Sequence, residues 1–291
     1  MVARQRKRVC KVKLACNYYL ETEKLFDAGI ISLDYFKYPG VGFHMDIMQD
    51  LDDFENFCNK LTVKRPILLH GLYPAPHDLS SPTFQADFND DAVNRLLKMT
   101  KTPGISLHMM LSRLPKDVPF AKILGTIIEN AAFLKEKYSD MDFVALENFD
   151  HLDRYGDLVK PETIKSLIAE TGCDFVLDIS HAYYASRGLC MDFHDYLRKL
   201  PLEKVVEIHI NGWIENQNGL MSHTIINEEA YQALKEVLNS CKPKIITVEY
   251  GRADDRIGAG SPIMSQDKIN PDAEKEIIEQ INRIGEIIYG G

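Results

Sequence analysis

Eight short apolar runs recur along this chain, with helix-patterned segments between most of them, and that alternation restricts the fold more than any other feature. The runs are Val12–Tyr18, Ile30–Phe36, Pro66–Leu72, Gly104–Met110, Asp142–Asn148, Asp174–Ser180, Val205–Asn211 and Lys244–Tyr250. Each is as long as a strand and rich in Val, Ile, Leu or Phe, as strands covered on both faces are. Asp90–Lys101 and Phe120–Tyr138 carry apolar residues at helical spacing, and Pro161–Thr171 opens on proline and stops at Gly172. Met191–Leu200, Glu228–Ser240 and Pro271–Ile288 complete the helices, with Gln49–Leu61 expected before Pro66. No Ser/Gly-rich linker divides the chain, so the pattern predicts an α/β fold, one (β/α)8 barrel over 1–291, with residues 1–10 a frayed basic leader. The competing open doubly wound sheet lacks a G-x-G-x-x-G after its first strand.

Barrels of this kind place their chemistry at the carboxyl ends of the strands. Six consecutive runs end on a side chain that can hold a metal: His70, His108, Glu147, Asp178, His209 and Glu249. His181 stands three residues past Asp178, and His223 follows the seventh run. Taken alone, a histidine in an apolar strand reads as a hydrogen-bonded core residue, and a buried glutamate as half of an ion pair. Taken together, three carboxylates on one rim repel each other unless a cation joins them, and an unpaired buried carboxylate costs several kcal/mol. A bound metal, and more than one, is the least costly arrangement. The donors are nitrogen and oxygen, which suits Fe, Mn or Zn, with one carboxylate able to bridge two ions.

Other residues give weaker signals. Trp213 follows the seventh run and could wall a substrate pocket or cover the rim. Arg252 could hold a substrate carboxylate or phosphate, or form a surface ion pair. Asn148 could support Glu147, and Ala253–Pro262 could form a lid. His44, His77, His151 and His194 read as loop, surface or core residues. Lys+Arg 34 against Asp+Glu 43 leaves a net charge of −9, a poor balance for gripping phosphates, so nucleic acid is not the expected partner. The six cysteines form no C-x-x-C pair and no dense framework, which points to a reducing, cytoplasmic setting. No apolar stretch is long enough for a membrane span.

The order Glu, Asp-x-x-His, His, Glu over runs five to eight resembles the xylose-isomerase-like TIM-barrel superfamily of sugar isomerases and epimerases, endonuclease IV-type enzymes and multinuclear non-haem iron-dependent oxidases. Phe175–Ser186 is similar to the Asp-x-x-His strand of endonuclease IV. The longer segments resemble the oxidases, of the methanobactin-biosynthesis type: ILLHG (Ile67–Gly71), ISLHM (Ile105–Met109), LENFD (Leu146–Asp150), Thr171–Ser186, Phe193–Trp213, Gly219–Leu234 and ITVEY (Ile246–Tyr250). The likeness covers about residues 66–250 and is most specific over Phe193–Trp213.

The resemblance implies a centre of two or three iron ions, with Mn or Zn as alternatives. His70, His108 and Glu147 would hold one ion. Glu147, Asp178, His209 and Glu249 would hold the second, and His181 and His223 would serve a third. Glu147, Glu249 and His181 are the candidate catalytic residues. It further implies O₂-dependent rearrangement of a cysteine or acidic side chain in a ribosomally made peptide, with a companion recognition protein. Two positions depart from the oxidase pattern. Met221-Ser222-His223 stands where the family has Asp-x-His, and Ser180-His181 where it has two asparagines. The third site thus loses a carboxylate and gains an imidazole.

Three other readings use the same residues. In a sugar isomerase or epimerase, one ion at Glu147, Asp178, His209 and Glu249 would polarise a carbonyl while Glu147 and Glu249 exchange protons. In a phosphodiester hydrolase a metal-bound hydroxide would attack, which the charge balance disfavours. A non-enzymatic binding barrel would not need the intact donor set.

Overall fold

The computed structural model describes residues 11–39, 50–73, 78–109, 118–150, 156–216, 219–251 and 269–290. Eight parallel strands form one sheet in the order β3-β2-β1-β10-β7-β6-β5-β4. They are β1 (Lys13–Asn17), β2 (Tyr35–Tyr38), β3 (Ile67–Leu69), β4 (Gly104–His108), β5 (Phe143–Glu147), β6 (Asp174–Asp178), β7 (Val205–Ile210) and β10 (Ile245–Val248). The outer two, β3 and β4, meet at a parallel bridge between His70 and Ser106, where the Gly71 amide donates to the Ser106 carbonyl at 2.8 Å. The sheet therefore closes into the (β/α)8 barrel that the alternation predicts.

Helices cover its outside: α1 (Leu20–Asp27), α2 (Leu51–Leu61), α3 (Asp90–Thr100), α4 (Phe120–Lys137), α5 (Pro161–Thr171), α6 (Ile179–Gly188), α7 (Phe193–Lys199), α8 (Glu228–Leu238) and α9 (Pro271–Tyr289). Their ends follow local chemistry. Asp50 caps α2 by accepting from the amides of Asp52 and Asp53, and Asn89 caps α3 through the Ala92 amide. Proline opens α5, and Gly172, at φ +66°, closes it in the left-handed region that L side chains rarely adopt.

Three features differ from the sequence expectation. The second strand runs over Tyr35–Tyr38 instead of Ile30–Phe36, because Gly29, at φ +68°, ends the turn after α1 and Ile31 and Leu33 pack as loop residues. The sequence pattern does not mark helices α1 and α6: α6 begins directly after β6, and α1 is separated from β1 by two residues, leaving little or no loop. An antiparallel hairpin, β8 (Gly212–Asn216) with β9 (Gly219–Thr224), follows β7 outside the barrel. Gly212 fits there because a Cβ would lie 1.8 Å from the Ile225 carbonyl oxygen.

Strand parity sorts the core into two sets. Side chains such as Leu14, Phe36, Val144, Leu177, Ile208 and Val248 face the helices. Ala15, Tyr35, Leu68, Phe143, Ala145, Val176, Val206 and Ile245 pack together inside the barrel. A register shift between β6 and β7 after Phe175 gives β7 an extra residue, so Val206, Glu207 and His209 all belong to the interior set. Extending the parity upward puts Asn17, His70, His108, Glu147, Asp178, His209 and Glu249 on the top interior layer. Lys37, Ser106, Glu207 and Thr247 form part of the layer beneath, and all four are fully buried.

Candidate metal centre

Glu147, at the end of β5, stands at the middle of the top layer and is 1% exposed. Its two oxygens face different neighbours. Oε2 lies 3.2 Å from His70 Nε2 and 3.6 Å from His108 Nδ1. Oε1 lies 3.2 Å from His181 Nδ1 and 3.3 Å from His209 Nδ1. His209 Nδ1 is also 3.3 Å from Glu249 Oε1, and Glu249 Oε2 lies 3.8 Å from His223 Nε2. The Nε2 atoms of His70 and His108 are 3.0 Å apart.

Each ligand-type side chain is fixed by its own element. Asp178 caps α6, with Oδ1 accepting from the His181 amide at 2.7 Å and from Ser180 Oγ at 2.8 Å. Its Oδ2 accepts from Asn211 Nδ2 at 3.1 Å. Asn148 spans β5 and β6, its amide donating to the Asp178 carbonyl and accepting from the Asp178 amide. His70 Nδ1 rests on Ser106 Oγ at 3.1 Å, and His181 Nδ1 lies 3.0 Å from the Asn148 carbonyl oxygen. His223 sits in β9 at φ +60°, a left-handed conformation that costs a non-glycine residue roughly 1 kcal/mol or more. It is held on both sides, its amide donating to Asn211 Oδ1 at 3.1 Å and its carbonyl accepting from the Gly251 amide at 3.0 Å.

The donor set fits metal ions. Both Glu147 oxygens and His209 Nδ1 are buried, and none of their contacts has hydrogen-bond geometry. Donors held roughly 2.0–2.2 Å from one ion stand roughly 3.0–3.6 Å from each other at right or tetrahedral angles, the spacing seen around Glu147. One ligand atom from each of Glu147, Asp178, His209 and Glu249 falls in a group spanning no more than 4.8 Å, as does one from each of His70, Glu147 and His209.

Charge follows the same grouping. Burial pushes the Glu147 carboxyl up, but the imidazoles of His108, His209, His70 and His181 outweigh it and hold the group well below the usual carboxylate range. Burial lowers His108 to about 4, and burial with the Lys37 charge lowers His70, so both rings stand ready as neutral ligands. Burial would also lower His181, but Asp178, Asp150 and Glu147 raise it well above the ordinary histidine value.

Other expected residues fall elsewhere. Trp213, in β8, is 6% exposed and stacks on Tyr183 with ring centroids 4.4 Å apart, with Phe193 edge-on at 5.8 Å. Trp213 is thus packed against α6 and α7. Met221 is buried in β9 opposite Ile214. His194 pairs with Glu236 at 2.6 Å on the helical layer. Arg252, the Ala253–Pro262 segment, His44, His77, His151 and residues 1–10 lie outside the described residues.

The sequence pattern missed two interior groups, Lys37 and Glu207. Lys37 Nζ lies 3.4 Å from Glu207 Oε1, 3.0 Å from Glu249 Oε1 and 2.5 Å from His209 Nε2. Glu207 lies two residues before His209, so alternation in β7 was the available signal for it. Lys37 fell outside the expected second strand.

Comparisons with known proteins bear on the family and the fold. A UPF0276 protein of Chromobacterium violaceum is 22% identical over 171 residues, 55% of this chain and 61% of that protein, so less than two thirds of the relative is spanned. A UPF0276 protein of Psychromonas ingrahamii is 20% identical over 211 residues, 66% of this chain and 72% of its own length. Among solved structures, D-psicose 3-epimerase from Clostridium cellulolyticum H10, crystallised with D-tagatose, superposes with a TM-score of 0.66 at 10% identity, covering 95% of this chain and 99% of that one. A xylose isomerase domain-containing protein of Salmonella typhimurium gives 0.55 at 13% identity, covering 95% and 97%. At such identities these structures establish the barrel alone. Among the described residues no helix is long and apolar enough to cross a membrane. The family model described as RiPP precursor modification enzyme MbnB/TglH/ChrH matches residues 46–258, from ahead of β3 to beyond β10, and the chain belongs to that family of enzymes acting on ribosomally made peptide precursors.

Proposed function

We propose that this chain is a multinuclear iron-dependent oxidase that modifies a cysteine or acidic side chain of a ribosomally synthesised peptide. The observation that carries the reading is the division of Glu147 between two sets of donors. Oε2 faces His70 and His108, and Oε1 faces His181 and His209. A carboxylate so placed suits a bridge between two ions. His70 and His108 would complete one site, and Asp178, His209 and Glu249 the other. Iron held there would supply a seat for the substrate thiolate or carboxylate and the electrons for O₂ chemistry. The chain's own residues supply the rest: Asn148 and Asn211 hold Asp178 in place, and Ser106 orients His70. Membership of a peptide-modifying family supports a peptide substrate, with a companion recognition protein as a further expectation. The cysteine usage supports a reducing, cytoplasmic setting.

Sugar isomerisation or epimerisation is the second reading, favoured by the group Glu147, Asp178, His209 and Glu249, which could hold a single ion. It leaves His70 and His108, both within 3.6 Å of Glu147, without a metal role. Metal counting after anaerobic purification from iron-supplemented cells separates the two. Two or three irons per chain, with O₂ uptake on adding the precursor peptide, support the oxidase. One Mn or Co ion and no O₂ uptake point to the isomerase.

His223 tests the division among ions. It approaches only Glu249 among the carboxylates described above, at 3.8 Å. His223→Ala is therefore expected to retain two ions and lose the third. Loss of all metal in that variant would show that His223 belongs to the main pair of sites.

A further inference from the structure

Beneath the top layer the barrel interior is lined by small residues on three strands, Ala15, Ser106 and Ala145, and the Lys37 side chain crosses that space. Both Lys37 and Glu207 are 0% exposed. A buried ion pair on this scale gives little net stability, since desolvation offsets the attraction, so its presence calls for another reason. Its position supplies one. Glu207 Oε1 lies 2.9 Å from His209 Nε2 and accepts from Thr247 Oγ1 at 2.6 Å. Lys37 Nζ lies 2.5 Å from the same His209 nitrogen.

These neighbours make opposite demands on one atom. A carboxylate requires a hydrogen on Nε2, which leaves the lone pair on Nδ1, the nitrogen facing Glu147 and Glu249. An ammonium requires the lone pair on Nε2, which puts the hydrogen on Nδ1 and blocks coordination there. A metal-ligating histidine ordinarily hands its far N–H to a carboxylate or carbonyl, and that outer partner fixes ring and tautomer.

Building on the metal centre proposed above, we propose that Glu207 is a positioning residue for it: Glu207 fixes His209 with Nδ1 free to bind an ion, and Lys37 neutralises the buried Glu207 carboxylate. Neither residue touches substrate; Glu207 acts through a ligand.

The test separates hydrogen-bond acceptance from charge. Two double variants, Lys37→Met/Glu207→Gln and Lys37→Met/Glu207→Leu, remove the same two charges and differ only in whether position 207 can accept from His209. Each is loaded anaerobically with Fe(II), and separately with Co(II) as a spectroscopic probe. Affinity is read by chelator competition and the ligand field by visible absorption. The Gln variant is expected to bind within about threefold of wild type. The Leu variant is expected to bind about 10- to 100-fold more weakly, the range for losing an outer partner, with an altered Co(II) spectrum. Equal affinities and spectra in the two variants would overturn the positioning role. So would a double variant that does not fold, because the pair would then serve folding. Failure of the wild-type protein to bind either ion would instead overturn the metal centre itself.

Discussion

A Glu147→Gln variant, purified anaerobically from iron-supplemented cells, is expected to carry at most one ion per chain and to consume no O₂ with precursor peptide. The amide keeps the shape of the side chain and can present one oxygen to His70 and His108. Its other end becomes an NH₂ group with no lone pair to share, facing His181 and His209. Losing an outer partner of a ligand typically costs 10- to 100-fold in affinity, and the amide withdraws a direct ligand from one ion, so the second ion is expected to bind at least about a hundredfold more weakly. The variant also deprives four nearby imidazoles of the carboxylate that each lies within 3.6 Å of. Metal content by mass spectrometry and iron speciation by Mössbauer spectroscopy read the outcome. A full complement of iron in this variant would remove Glu147 from the bridging position.

The expectation for Glu147 could be formed from sequence because strand ends in a parallel barrel are legible. A run such as Phe143–Leu146 followed by a charged residue marks both the strand and its exit, and the barrel brings all such exits to one rim. The same logic reached His70, His108, Asp178, His209 and Glu249. It failed at Lys37 for a physical reason: Ile30, Ile31 and Leu33 form an apolar run in a loop, with Ile31 and Leu33 buried, and it masked the four-residue strand beside it. Glu207 stands two residues before His209, so alternation in β7 points it inward, but attention to strand exits alone passes over a carboxylate one layer below the rim. The β8–β9 hairpin escaped notice because Gly212–Thr224 is short and polar, although it carries His223. The candidate ligands at strand exits follow the fold's main period, whereas Lys37 beneath them lies on a short strand that a longer apolar run masks.

His181 gives the other large expected effect, and it depends on pH. In the metal-free protein burial lowers its affinity for a proton, but Asp178, Asp150 and Glu147 outweigh burial and raise its pKa well above 6.5. The ring is therefore cationic at neutral pH, and that charge stabilises the metal-free fold. The contribution is full below the unfolded value of about 6.5 and is lost as pH rises through the raised one. An ion bound by His181 must displace this proton, so its affinity should climb about tenfold per pH unit between roughly pH 6 and pH 8, with one proton released per ion. His70 and His108 behave oppositely. Both are pushed below the ordinary value, His108 to about 4, so the ion they share should show no such slope over that range. Anaerobic Fe(II) titrations at three pH values, with chelator competition for affinity and a weakly buffered dye for proton release, resolve the two behaviours. The steep step linked to His181 should vanish in His181→Ala, while the flat one remains, as does a second steep step from His209, which burial lowers but Glu249 and Glu147 raise to about 10. A third ion whose affinity does not change with pH would take His181 out of the coordination sphere and leave it as a counter-charge to Glu147.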